Sequence, residues 1–433
     1  MKTKITLLLA LSVLFFTKAQ TTKHAVTQVD VYNTSTTPEY VKNTKTFSYD
    51  GYGQELEYIS TNFDSSGTVT MQQKTEYSYN SNNLLSQIVY YSFVSGSWVN
   101  NSKKVYTYNL DNEISILESS YWDTANSVWV TNLKDEFFYN TDGTLDYTIK
   151  YSYDAANSVW VIAQKKVYTY VSSTNLISLE ETFAWDSVTS TYFAVTRKNY
   201  TYDSNYNNTL EIFEYFDTSS SLWINSNKNS NTFDANDDLI EAISYYWQNN
   251  AWLPSVKSIY TRNSVGSVTL SESYNYDSAA QTWMTTPNDR NIPTYSNPSI
   301  AATELIIPRE ISINNYAYGQ LFNEKLDVVS KEYNNSPYER RELIYTQMNV
   351  TANVANVSEL DLSIYPNPVL NTFQIQSVDN LTNLKLEIYD MRGRLLMSKE
   401  NETTISLESL ASGHYIYRLE AKEGYKTGKI IKL

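Results

Sequence analysis

The chain contains no cysteine, and among its 433 residues there are only two histidines, 11 glycines and 9 prolines. Without cysteine there is no disulfide framework, no thiolate nucleophile and no thiolate metal ligand, so stability has to come from burial and hydrogen bonding. His24 lies near one end and His414 near the other. No histidine in the long middle region can therefore serve as general base or zinc ligand there. Neither a glycine-rich phosphate loop nor a Gly-x-Ser-x-Gly elbow occurs. After residue 16 no apolar run is long enough to span a bilayer as a helix, so no transmembrane segment is expected in the mature chain. Positive charge is also scarce: 33 Lys and Arg face 47 Asp and Glu, a net charge of −14. Such a field repels phosphate backbones and anionic lipid, which removes nucleic acid and acidic membranes from the expected partners.

Aromatic residues are abundant instead, with 39 Tyr, 14 Phe and 9 Trp. Together with frequent Thr, Ser, Asn and Val, this composition favours strand nearly throughout. At the N-terminus, Lys2 and Lys4 precede an apolar run over 5–16, and Thr17-Lys18-Ala19 leads into Gln20. That layout is a cleaved secretory signal covering residues 1–19. Its removal leaves 30 basic against 47 acidic residues, or −17.

Residues 20–286 are a tandem array. Trp98, Trp129, Trp160, Trp223, Trp252 and Trp283 recur after polar turns, with Tyr192 filling the slot between Trp160 and Trp223, at spacings of 29 to 32 residues. A second marker keeps the same beat: Tyr77-Ser78-Tyr79-Asn80, Tyr106-Thr107-Tyr108-Asn109, Phe137-Phe138-Tyr139-Asn140 and Tyr200-Thr201-Tyr202-Asp203, beginning with Phe47-Ser48-Tyr49-Asp50. By strand parity Trp98, Ser102, Lys104, Tyr106 and Tyr108 share one face, as do Leu145, Tyr147, Ile149, Tyr151 and Tyr153 on the returning strand. Each unit therefore reads as two long strands joined by Asx or Gly turns. An isolated hairpin is marginal in water, so neighbouring units must pair edge to edge.

The expected fold is all-β: a tandem antiparallel β-hairpin array forming a curved or spiralling sheet, aromatic side inward, followed by a small immunoglobulin-like β-sandwich. A propeller is the alternative, although blades usually need about 40 residues. Pro287, Pro293, Pro298 and Pro308 mark residues 287–308 as a proline-rich interruption, residues 309–349 read as a degenerate terminal repeat, and residues 350–359 as a linker. The Tyr-x-Tyr-Asp/Asn marker looks like the YD repeats of Rhs-type shell proteins, which form spiralling hairpin sheets. The unit here is longer, lacks their regular glycine and adds the Trp element.

Residues 360–433 alternate apolar and polar at Leu384, Leu386 and Ile388, and again after Ser412-Gly413, with short turns and no helical period. They carry Ile364-Tyr365-Pro366-Asn367-Pro368, Asp390-Met391-Arg392-Gly393-Arg394, Leu410-Ala411-Ser412-Gly413 and Lys429-Ile430-Ile431-Lys432-Leu433 in that order. This set resembles the type A C-terminal sorting domain of the type IX secretion system. The motif residues are Pro366, Asn367, Pro368, Gly393, Gly413, Lys429 and Lys432. The resemblance implies export through the type IX machinery, removal of the tail by a sortase-like peptidase, and a protein secreted or anchored to the outer cell surface. No residue of the tail is catalytic in that family.

Candidate chemistry in the array is sparse. Glu180 with Glu181 and Asp237 with Asp238 are adjacent carboxylates, which in a repeat read more readily as solvated faces or turns than as a hydrolase dyad. Asp234, Asn236 and Asp238 offer alternate oxygen ligands for calcium, but the sixth position lacks glycine and Tyr245 stands where a glutamate is wanted, so a turn is the favoured reading. Trp98, Trp129, Trp160, Trp223 and Trp252 are candidates for stacking on glycans or other surfaces, weighed against a core role. Asp123-Thr124-Ala125, Asp186-Ser187-Val188 and Asp277-Ser278-Ala279 look like the short O-glycosylation acceptor motif of exported proteins in bacteria that use this route. The expected function is a non-enzymatic adhesion or matrix protein. A carbohydrate-binding surface module is the first alternative, and a carboxylate-dependent hydrolase the second.

Overall fold

The structure is a computed structural model that describes residues 20–172, 174–296, 299–309, 323–351, 362–377, 384–389, 395–421 and 424–433. The chain divides into two compact units, residues 1–352 and 353–433. The leader expected over residues 1–19 lies outside the described residues, as does 352–359 of the linker expected over 350–359, whose first two residues, Val350 and Thr351, belong instead to the closing strand.

In the first unit, successive hairpins pair edge to edge, from the opening strand Gln20–Asn33 through Val268–Asp277. The order continues through Asp289–Tyr295, Leu326–Tyr333 and Ser336–Thr351. The last of these then pairs antiparallel with the opening strand along nearly its whole length, from Gln20 opposite Thr351 to Asn33 opposite Glu339. The expected open spiral is therefore a closed ring. Of the 22 strands in this sheet, only the two-residue strands Thr282–Trp283 and Leu305–Ile306 stand off the ring, which leaves twenty in an antiparallel barrel. Tilted, right-twisted strands roll a long sheet up, and closure satisfies the two edges that an open array would expose.

The expected interruption over 287–308 does not hold for its first part. Asp289–Tyr295 is a full member of the ring, paired on both sides. Pro293 is tolerated there because the ladder on the side of Val268–Asp277 ends at Asn291, so its missing N–H leaves no bond unmade.

The second Tyr of each Tyr-x-Tyr marker sits where the register slips by one residue, as between Ser78 and Tyr79 or Phe138 and Tyr139. Its hydroxyl donates to a carbonyl of the preceding strand of the ring, at that strand's own register slip: Tyr49 to Val26, Tyr79 to Glu55, Tyr108 to Leu85, Tyr139 to Ile114, Tyr170 to Leu145, Tyr202 to Ile177 and Tyr295 to Val268, at 2.6 to 2.9 Å. A bulge takes a carbonyl out of the ladder, and the phenol supplies the donor the ladder has withdrawn. Where the marker fails, other donors take over. Beside Phe233, Asn231 Nδ2 donates to Asn208 O at 2.9 Å, and Arg262, standing in the Tyr slot, donates to Leu239 O at 3.2 Å.

A second bulge moves the faces expected from simple alternation. Phe93 faces Trp98 and Tyr91 faces Asn100, whereas Tyr90 faces Ser102, so Asn101 is an extra residue. Trp98 consequently shares a face with Lys103, and Lys104 and Tyr106 point to the other. The same slip recurs between Ile162 and Gln164. The Trp row and the first-Tyr row thus lie on opposite faces of the barrel wall.

In the second unit, a three-stranded antiparallel sheet (Leu362–Tyr365, Thr372–Ser377, Thr404–Ser406) and a four-stranded one (Lys385–Tyr389, Leu395–Glu400, Gly413–Ala421, Gly424–Lys432) share one core. Phe373, Leu386, Ile388, Ile405, Leu407, Leu419 and Ile430 are wholly or almost wholly buried in it.

Candidate functional site

In the terminal unit, the motif residues converge on one latch. Pro366, Asn367 and Pro368 are exposed, and both the Tyr365–Pro366 and Asn367–Pro368 bonds are cis. The Asn367 side chain brackets the terminal strand: Nδ2 donates to Lys429 O at 2.7 Å while Oδ1 accepts from the Ile431 amide at 3.0 Å. Val369, fully buried, continues the grip, donating to Ile431 O and accepting from the Leu433 amide. Lys432 is buried, and its ammonium donates to the carbonyls of Leu407 and Leu410. Gly413 opens the strand opposite Lys432. Gly428 is dictated by space, since a Cβ there would stand 2.6 Å from the Tyr417 ring. Lys429 and Leu433 remain exposed. Gly393 lies outside the described residues.

In the barrel, the five Trp candidates each lie two residues after a hairpin turn, partly buried and edge-on to a second aromatic ring. Phe93 meets Trp98, Trp122 meets Trp129, Tyr153 meets Trp160, Phe216 meets Trp223 and Trp247 meets Trp252, at centroid distances of 4.9 to 5.2 Å. Trp185 with Tyr192 and Tyr276 with Trp283 complete the series. Edge-to-face geometry puts the positive ring edge against the negative face of its partner and adds about 0.5–1.5 kcal/mol per pair.

Each pair also receives a cation from the preceding hairpin. Lys74 lies over Trp98, Lys103 over Trp129, Lys134 over Trp160, Lys165 over Tyr192, Arg197 over Trp223, Lys228 over Trp252 and Lys257 over Trp283, at 4.6 to 6.0 Å. From Lys103 onward, these cations stand five residues after the preceding aromatic. Only the bulge at the third position brings them back to its face. The periodic basic residue is the signal that simple alternation assigns to the wrong side. Lys134 also bonds Glu136 at 2.6 Å and Arg197 bonds Glu214 at 2.5 Å. Burial pushes the Tyr91 and Tyr151 hydroxyls up to about 12, assisted by their hydrogen bonds to Glu76 and Glu136. Burial likewise draws the Lys228 ammonium below the usual lysine range.

The other candidates resolve as structure. Asp234 Oδ1 accepts from the amides of Asn236 and Asp238, closing a turn with Asp237 at positive φ. Asp238 faces the Arg262 guanidinium at 3.3 Å, so the calcium pattern is an Asx turn beside a built-in cation. Among the described residues no group of three or more His, Cys, Asp or Glu could hold a metal ion. Glu180 is bonded to Lys166 at 2.8 Å. Thr124, Ser187 and Ser278 are exposed at the turns, while the preceding Asp123, Asp186 and Asp277 accept backbone N–H bonds. Hydrogen bonds from Asn126 hold the Asp123 carboxyl below the usual range, and Thr189 does the same for Asp186.

Residues 363–433 match the family of secretion system C-terminal sorting domains. The tail is a type IX sorting domain, and the chain is a protein secreted or anchored at the outer surface that engages the type IX machinery through it. Among curated proteins none matches the chain. Among solved structures, a porin-like protein from Bacteroides uniformis is 12% identical with a TM-score of 0.29, covering 54% of this chain and 95% of its own. A protein of unknown function from Bacteroides fragilis is 19% identical with a TM-score of 0.24, covering 29% and 91%. The Photorhabdus luminescens Tc holotoxin pore is 12% identical with a TM-score of 0.24, covering 92% of this chain and 25% of its own. Scores at this level carry no argument about the barrel.

Proposed function

We propose that the mature protein is a non-enzymatic barrel that works by surface contact, in adhesion or as a matrix component, with its immunoglobulin-like tail serving as the export address. The observation that supports this most is the belt of aromatic pairs. One recognition element recurs hairpin after hairpin, as expected for a surface that gains strength by repetition. An enzyme would concentrate its chemistry at one place, whereas of the adjacent carboxylates offered for a hydrolase Glu180 is paired with Lys166, Asp238 with Arg262, and Asp237 accepts from Asn205 and Asn207.

A barrel embedded in lipid fits less well. Ion pairs stand in mid-strand on both faces: Lys134 with Glu136 and Arg197 with Glu214 on the Trp face, Lys166 with Glu180 and Lys198 with Glu211 on the other. A lipid-facing band would lose about 2–4 kcal/mol for each Lys or Arg at its middle. The test is a deletion strain compared with one secreting the chain at normal level. Loss of surface attachment or matrix mass on deletion supports the reading, and unchanged attachment and matrix would defeat it.

A further inference from the structure

The belt has a definite electrostatic character. Register places Lys74, Lys103, Lys134, Lys165, Arg197, Lys228 and Lys257 on the Trp face. It places Glu76, Glu118, Glu136, Glu181, Glu214, Glu241 and Glu272 there as well. Glu57, opposite Glu76, and Arg290, opposite Glu272, add one of each sign, so these mid-strand charges balance on this face in a chain that is strongly acidic as a whole. A polyanion finds no attraction there and a polycation finds none either. The face offers apolar rings flanked by alternating donors and acceptors, and parts of the rings are open: Phe93 is 40% and Tyr153 36% exposed.

The spacing is equally definite. Successive ring pairs lie two strands apart, and the register of Lys103, Ser120 and Thr131 offsets them by about two residues along the strand. Strand spacing and rise make that a step of about 12 Å. Seven ring pairs separated by six such steps suit a partner that is itself a repeating chain rather than a single compact ligand.

We propose that this belt binds an uncharged linear polysaccharide of β-linked hexopyranose units, with about one disaccharide per hairpin. A ring whose hydroxyls are all equatorial presents flat C–H faces that lie against Trp and Tyr, and its hydroxyls meet the Lys and Glu heads at the ring margins. Each site is weak alone, and a chain long enough to touch several gains through effective concentration. The inference rests on the surface-contact reading above and names its ligand class.

The experiment uses the full-length secreted chain in native gels containing hydroxyethylcellulose, with cello-oligosaccharides of increasing length as competitors and polygalacturonate as the charged counterpart. Retardation by hydroxyethylcellulose is expected, persisting at high salt because no ion atmosphere is displaced. The polymer should bind at least about tenfold more tightly, per chain end, than the hexasaccharide. The triple variant Trp129→Ala, Trp160→Ala, Trp223→Ala should lose at least about tenfold in affinity. Tyr121→Ala with Tyr215→Ala on the opposite face should change nothing, which separates lost contact from lost fold, with strand circular dichroism as the check. No retardation, preference for polygalacturonate, or unchanged binding by the triple variant overturns the proposal. A chain that fails here yet still mediates attachment keeps the surface-contact reading and loses only the ligand, whereas failure of both assays removes both.

Discussion

The two units of this protein are held together by different physics. In the tail, Phe373, Ile388, Ile405, Leu407, Leu419 and Ile430 are removed from water entirely and pack in one core. In the barrel, full burial is concentrated around Val26, Val29, Leu326 and their neighbours, near the join between the opening and closing strands, while the hairpins elsewhere are mostly half-buried on both faces. The tail is a folded droplet. The barrel is a wall, kept in register by ladder bonds, bulge-capping tyrosines and ring-to-ring contacts, and its strength is distributed. A sorting module that engages the export machinery on its own benefits from a self-sufficient core, whereas a one-sheet wall has to leave its side chains half in water.

That contrast can be broken at its strongest point with alkali. Burial raises the tyrosines at the barrel's bulges above their ordinary value, as at Tyr49, Tyr79, Tyr139 and Tyr170. A folded-state value above the unfolded one means that the stabilisation is complete below about pH 10 and is lost as pH rises through the folded value. The barrel should therefore unfold on alkaline titration, with phenolate absorbance appearing together with loss of strand signal. The tail expressed within the same chain should hold its structure further. Simultaneous loss of both units would erase the distinction.

Next in size is Phe373→Ala, which should cost the tail about 3–5 kcal/mol through lost burial and a cavity. The tail's urea transition should move and export should fail, while the barrel's transition stays in place. Tyr139→Phe should cost the barrel about 1–3 kcal/mol by stranding Ile114 O. Asn231→Ala should match it, because Asn231 holds the equivalent carbonyl of Asn208 beside Phe233. Equal urea midpoints for Tyr139→Phe and the unaltered chain would show that the bulge carbonyl finds another donor. Asn367→Ala should lower tail stability by about 1 kcal/mol, read as a fall in its urea midpoint and in secreted yield. The smallest effect should be that of Lys134→Met, about 0.5–1 kcal/mol, since methionine keeps the unbranched stem packed against the ring and only the charge over the ring and beside Glu136 is lost.

Much of this is legible in the sequence. Alternation, turn residues and the 29 to 32 residue beat specify hairpins, and the four tail motifs specify the address. Alternation goes astray wherever a single extra residue such as Asn101 enters one strand, because that residue exchanges the faces of everything after it and leaves no mark in composition. Alternation alone therefore puts Lys104 on the face of Trp98, where the structure has Lys103. The Tyr-x-Tyr marker was visible as a repeat, but its purpose depends on a carbonyl 23 or more residues away.

By itself the sequence determined the element type, the repeat, the turns and the export signal, because each of those is written in residues close together along the chain. Only the tertiary structure decided that Ser336–Thr351 returns to Gln20–Asn33 and closes the ring, and that Asn367 and Lys432 fasten the terminal strand. Those pairings join segments far apart in sequence, and what selects them is the accumulated twist and tilt of the strands between.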